Sequence, residues 1–369
     1  MKSKEVRVGI AGIGSCSSSL VQLIEYIKTG EESHNTGIMF DSIGGYKPKD
    51  VKFVCAFDVS DTKVGLDLSN AIFAEPNSAT NHIEVSNLDV NVSPGPLADG
   101  LTGFLSTKVT PHNDCEYATI EDVTDVLKKT NTDVLVCYLP TGAKQAVKNY
   151  AIAAANANIA FINCTPELVS RDEKINTLFR EKRLPLIGDD MRSHMGATTL
   201  HTALIELLHS RGIIVDNTYQ LNFGGNMDFY NLSDSSRNKS KQISKKNSLY
   251  AAGIDASTVA AGPNGYVEYL QDNKVCYLRI EGTSILGSNI SMETRLEVED
   301  SPNSAGVIIS AVRIAKTALD NQEFGEVVEN ICPFLFKSPV QGMTESEGLS
   351  AITKYVESKE ESLNGTHSY

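Results

Sequence analysis

The segment GGNMDFYNLSDSSRNKSKQISKK, residues 224 to 246, holds the residues of this chain best suited to chemistry. Asn226 and Asp228 stand ahead of Lys241 and Lys245, and the two lysines are four residues apart. On a helix that spacing sets both ammonium groups on one face. Two cations so close lower each other's pKa, so one lysine can exchange a proton near neutral pH. The pair also suits a phosphate or a developing oxyanion. A solvated basic helix face has the same spacing, and spacing alone leaves both readings open.

A second group stands near the N-terminus. VRVGIAGIGS reads as a buried strand running into a turn at Gly12, Ile13 and Gly14, followed by the small residues Ser15, Cys16 and Ser17. Glycines in such a turn let the backbone approach a pyrophosphate at a helix N-terminus. By itself the turn is equally a plain strand-to-helix connection. Asp58, closing the strand KFVCAFDVS, adds an acid placed to accept from a ribose hydroxyl, which favours NAD over NADP. Its distance from Gly14 exceeds the usual spacing by about 20 residues, so residues 30 to 50 read as an inserted loop. Asn163 and the pair Asp189-Asp190 close later strands, where open α/β sheets bind ligands. Helix caps and turns use the same residue types. The run GDDMRSHMGAT adds a turn whose N–H groups could wrap a phosphate. No spacing marks a metal site, and a hard cation held by Asp and substrate leaves no motif, so the sequence leaves any metal unknown.

The elements that must position these residues follow from periodicity. Short apolar runs (VRVGIA, KFVCAF, DVLVCYL, IAFIN, LPLI) alternate with helical patterns (CSSSLVQLIEYIK, AKQAVKNYAIAAANA, EKINTLFREKR). That alternation predicts an α/β fold with a doubly wound parallel sheet. Residues 76 to 113 read as irregular. After about residue 200 the pattern changes to a helix, LHTALIELLHSRG, and a strand-like run, TYQLNFGGNMDF. Two alternating strands then follow, KVCYLRIEG and ISMETRLEVED, an α+β insertion with an antiparallel-rich sheet. A helix starts at Ser301-Pro302 with Asp300 or Ser301 as its cap, and the last dozen residues read as frayed.

The 369 residues allow two domains or one large one, and 41% hydrophobic content supplies a full core. A net charge of −13 argues against nonspecific nucleic-acid binding, while leaving room for a local cation cluster around a small anion. The seven scattered cysteines make no CxxC pair and read as buried free thiols in a reducing compartment. No apolar run nears the roughly 20 residues of a membrane span, so membrane insertion is not expected, and the N-terminus is unlike a signal peptide. The expected location is cytoplasmic.

Taken together, VRVGIAGIGSCSSSLVQ, CAFDVSDTKVGLDLSNAIF, GDDMRSHMGAT, QLNFGGNMDF, SKQISK, LEVEDSPNSAGVI and LFKSP closely resemble the myo-inositol-1-phosphate synthases, in their shorter bacterial and archaeal branch. The matching text covers most of residues 5 to 340. Ser15 departs from the Asn of many relatives. The resemblance implies an isomerase that acts on glucose 6-phosphate: oxidation at C5 by NAD, enolisation, aldol closure between C6 and C1, and return of the hydride. It places the catalytic lysines at Lys241, Lys245, Lys274 and Lys337, with Asp228, Asp300 and Asn226 around them. It places a phosphate cradle at Ser193, Gly196, Ala197 and Thr198. NAD would meet Gly12, Ile13, Gly14, Ser15, Cys16, Ser17, Asp58, Leu139, Pro140, Thr141, Asn163, Asp189 and Asp190. It also implies a homotetramer built through residues 201–305, with residues 1–200 and 306–369 forming the Rossmann domain. A need for a divalent cation or ammonium stays open. The competing readings are an NAD-dependent sugar-phosphate dehydrogenase, a cyclase of a different sugar phosphate, and a non-catalytic NAD-binding scaffold, against which the presence of all four lysines and both acids speaks.

Overall fold

The computed structural model describes residues 4–30, 36–237, 243 and 261–365. Lys241 and Lys245 lie outside the described residues.

Alternation within the strands decides the layers. In β1 (Val6–Ala11), Val6, Val8 and Ile10 enter one core and Ala11 the opposite one, as the two-residue period of a strand requires. The helix α1 (Ser15–Lys28) follows at once, presenting Leu20, Ile24 and Ile27 at helical spacing to the first core. Then come β2 (Val51–Asp58) and β3 (Val92–Pro94). The helix α2 (Ile120–Lys129) is closed at its start by a reciprocal Thr119–Asp122 capping box. Next in order are β4 (Val134–Cys137), α3 (Lys144–Ala157), β5 (Ala160–Asn163), α4 (Glu173–Glu181) and β6 (Leu186–Ile187). The six strands form one parallel sheet in the order β3-β2-β1-β4-β5-β6. The order reverses between β1 and β4, and open α/β sheets bind ligands outside the strand ends at such a reversal.

The helix α5 (Ala197–Ser210) leads into β7 (Ile214–Gly224), which a six-residue helix, α6 (Met227–Leu232), follows. With β8 (Ala261–Tyr266), β9 (Asn273–Thr283) and β10 (Asn289–Glu299), β7 makes a second, four-stranded sheet in the order β10-β9-β7-β8. The β9–β10 and β7–β9 pairs are antiparallel and β7–β8 is parallel. Ile205 and Leu208 of α5 pack on Cys276, Leu278 and Ile280 of β9.

The chain then returns to the first sheet. The helix α7 (Asp300–Asp320) buries Ala305, Ile308, Ile309, Val312 and Ala315 in the core that also holds Val8, Ile10 and Leu20. The helix α8 (Glu345–Gly365) adds Ile352 and Val356 to it.

Four local expectations change. The stretch 76–113 contains β3, a three-residue edge strand beside β2. The run that reads as strand through Phe229 stops at Gly224, because the Asn226 side chain accepts from the N–H groups of Asp228 and Phe229 and starts α6. Neither Asp300 nor Ser301 caps α7, which begins at Asp300 itself. The C-terminal stretch is helical to Gly365 rather than frayed. All seven cysteines are free, and all but Cys16 are buried. Among the described residues, no helix is long and apolar enough to cross a membrane.

Candidate active site

The Gly12 turn carries the first wall of a cleft. Gly12 has φ +91°, and a Cβ there would sit 2.9 Å from the Tyr138 carbonyl oxygen, so the position admits only glycine. Gly14 faces open space. The helix α1 starts after it with no side-chain cap, which leaves its first N–H groups to a ligand or water. Asp58 holds the turn from the next strand, accepting from Ile13 N at 2.6 Å and from Val59 N and Ser60 N. Gly12, Ile13 and Asp58 line one part of the groove; Gly14, Leu139 and Pro140 continue into the part also lined by Ser15, Cys16 and Thr141. Ser15 Oγ donates to Asn77 Oδ1 at 2.8 Å. The Cys16 thiol is pushed well up by burial and by the charges of Asp300 and Asp272, so it stays a neutral thiol.

Opposite stand two cations, each with a carboxylate. Lys274, at the start of β9, has its Nζ 3.2 Å from Asp300 Oδ1, at the start of α7. Lys337 Nζ lies 3.1 Å from Asp190 Oδ1. Two backbone bonds fix Lys337: its N–H donates to Asp190 O at 2.7 Å, and Ser338 N–H donates to Asp189 O at 3.0 Å. Asn226 spans the acids, with Nδ2 3.3 Å from Asp272 Oδ1 and 3.5 Å from Asp300 Oδ2. Asp228 Oδ1 accepts from Thr141 Oγ1 at 2.9 Å. Asn226, Asp228, Lys274, Asp300, Asp190, Lys337 and Ser193 all line the same cleft.

Several expected contacts sit elsewhere. Asn163 and Asp189 are fully buried and do not line the cleft. Asn163 Nδ2 donates to Asp189 Oδ1 and Glu167 O, and its Oδ1 accepts from Thr165. Asp189 also accepts from Ser170 N and Oγ, and burial pushes its pKa up to about 7. These two residues brace the loops from behind. Ser17 is buried, its Oγ donating to Gly14 O at 2.8 Å. Of the phosphate residues only Ser193 lines the cleft; Gly196 precedes α5, and Ala197 and Thr198 are buried in its first turn.

The structure adds three residues that sequence reasoning missed. Asp272 is 2% exposed and accepts from Ser301 N, Ser301 Oγ and Asn226 Nδ2. Burial, and next the charge of Asp300, push its pKa up to about 7. Tyr138 and Asn231 line the cleft with a buried polar atom each, Oη and Oδ1, that meets no hydrogen-bond partner among the described residues. Only the proximity of Asp272 to Lys274 in sequence hinted at any of them.

A dinucleotide fits these residues. The glycine turn, the uncapped helix start and the acid ending β2 suit a pyrophosphate and a ribose, and the two unsatisfied buried atoms lie farther along the same groove. Among the described residues no group of three or more His, Cys, Asp or Glu side chains is arranged to hold a metal ion.

Residues 196–301 match the family model described as myo-inositol-1-phosphate synthase. The chain is 39% identical over 361 residues to the inositol-3-phosphate synthase of Mycolicibacterium smegmatis, covering 96% of this chain and 98% of that one. It is 40% identical to the inositol-3-phosphate synthase of Mycobacterium tuberculosis, covering 96% of each. Among solved structures, that of Ari2 superposes with a TM-score of 0.76 at 35% identity, over 96% of this chain and 99% of that chain.

Proposed function

The chain belongs to the myo-inositol-1-phosphate synthase family, and on that premise we propose that it converts D-glucose 6-phosphate to 1L-myo-inositol 1-phosphate with NAD held in the cleft. The observation that carries this reading is the convergence of Lys274 and Lys337, from elements far apart in sequence, on one cleft with the glycine turn. A dehydrogenase needs one proton acceptor beside its cofactor. Two carboxylate-paired ammonium groups suit a reaction that also develops negative charge on carbonyl oxygens.

When bound, NAD supplies oxidation at C5 and the later return of the hydride to the same carbon. The side chains do the rest. A ketone at C5 makes the C6 protons acidic; one passes to the dianionic phosphate carried on the C6 oxygen, which leaves negative charge on the C5 oxygen, where Lys337 offers its ammonium. C6 then closes on the C1 aldehyde, and Lys274, oriented by Asp300, stabilises the C1 oxygen. Ser193 contributes to holding the substrate phosphate, with Lys241 sharing that charge. Lys245 exchanges the proton of the C5 hydroxyl. These last two assignments rest on the family resemblance. Asp228 and Asn226 orient the cluster. The homotetramer through residues 201–305 and the division at 200 and 305 belong to the same proposal.

The test follows from redox balance, since oxidation and reduction cancel. Purified protein given glucose 6-phosphate and a catalytic amount of NAD should yield inositol 1-phosphate by phosphorus and carbon NMR, with no net rise in NADH absorbance. Stoichiometric NADH would instead mean a sugar-phosphate dehydrogenase. Neither signal with glucose 6-phosphate, but a cyclised product from another sugar phosphate, would mean a cyclase of different substrate.

A further inference from the structure

Asn231 is 1% exposed, lines the cleft and belongs to α6. Its Nδ2 donates to Thr141 O at 2.8 Å. That bond settles which way the amide points, because a carbonyl oxygen accepts only from the nitrogen side. Oδ1 is therefore the atom turned away from Thr141, and it is buried without a hydrogen-bond partner among the described residues. Leaving a buried acceptor unpaired is costly, and in a cleft such an acceptor is completed by water or by a ligand group that displaces it.

Its position says which ligand group would do so. Thr141 belongs to the loop after β4, on the far side of the strand-order reversal from the Gly12 turn and Asp58. A dinucleotide laid across that reversal puts its second half there. Leu139, Pro140 and Met227 line the same part of the cleft and offer apolar surface to a flat ring. Oδ1 is an uncharged acceptor, which suits a neutral N–H donor on such a ring.

We propose that Asn231 Oδ1 accepts from the carboxamide NH2 of the nicotinamide and so sets the rotation of that ring over the substrate. The assignment rests on the NAD reading above and makes Asn231 a positioning residue for the cofactor. Thr141 acts as a fixed hinge: its carbonyl orients Asn231, and its hydroxyl donates to Asp228. One short loop thereby ties the ring's orientation to the acids around the substrate.

The experiment compares binding of NAD and of 3-acetylpyridine adenine dinucleotide by calorimetry, in the absence of sugar phosphate. The analogue replaces the NH2 with a methyl group, keeping shape and charge while removing the donor. The wild type should bind the analogue about tenfold more weakly than NAD, the loss expected when a buried acceptor stays unpaired. In Asn231→Leu, NAD should weaken to about the level of the analogue, and the preference should vanish. Asn231→Ala carries the same comparison should the leucine variant fail to fold. A wild type that binds both dinucleotides equally, or variants that keep its preference, would overturn the assignment. So would variants that lose glucose 6-phosphate affinity while dinucleotide binding is unchanged, since Oδ1 would then serve the sugar. A wild type that binds neither dinucleotide would overturn the NAD reading itself, a separate outcome.

Discussion

Asp272 shows what a single side chain can hide. Its carboxyl is more easily protonated in the folded protein, where its pKa is pushed up to about 7, than in the unfolded chain, where a carboxyl titrates near about 4. Between those values the folded state binds more protons, so raising the pH through about 4 to 7 removes stability. A tenfold difference in proton affinity between the two states is worth about 1.4 kcal/mol. Asp272→Asn deletes this titration, so its melting temperature relative to wild type should rise with pH by a few degrees across that window. Scanning calorimetry from pH 4 to 8 checks this, and a difference that stays constant with pH would assign the titration to another group. Residue by residue, the sequence was legible where backbone demands dictate the type, as at Gly12, and where family likeness named Lys274 and Lys337. Asp272 and Asn231 were not legible, because their roles come from partners remote in the chain, Ser301 and Thr141. Asn163 and Asp189 carry types that suit a ligand, yet burial turns them toward each other.

Among elements, the Gly12 turn makes the sharpest claim. Gly12→Ala would put a Cβ 2.9 Å from the Tyr138 carbonyl oxygen at φ +91°, a backbone strain of about 1–3 kcal/mol before the clash is counted. Its melting temperature should fall by several degrees, and NAD affinity at least tenfold. At Gly14 nothing among the described residues lies within 4 Å of the added methyl. Gly14→Ala should therefore melt near wild type while still weakening NAD, and parallel calorimetry of the two variants separates a fold defect from a blocked cradle. Long periodic segments such as α1 and the β9–β10 hairpin were legible because their apolar faces repeat. β3 was not, since three residues in an Asn-, Ser- and Pro-rich stretch form a strand only by pairing with β2. α6 was hidden because its start depends on one Asn226 cap within an otherwise strand-like run.

At the scale of the molecule, the return of α7 to the first sheet is the feature the rest depends on. Its buried face joins Val8, Ile10 and Leu20 in one core, so the six-stranded sheet is covered on that side by residues from beyond the second sheet. A chain ending at residue 299 should therefore show no cooperative thermal transition, and adding back residues 300–365 in the same chain should restore it. The break in pattern near residue 200 was visible in the sequence, and the family resemblance implied that the C-terminal segment returns to the first domain; which residues of α1 meet α7 was not legible, because periodicity gives a helix a face without naming its partner. The same return sets a clock on biosynthesis. Ile308 follows Val8 by 300 residues, so at ribosomal speeds of about 5–20 residues per second the first strand waits roughly 15 to 60 s for its covering helix. During that interval α1 covers only part of that core, and the share left for α7 is open to chaperones and to neighbouring nascent chains, so yield in the cell should follow translation rate and chaperone supply as closely as it follows the stability of the finished fold.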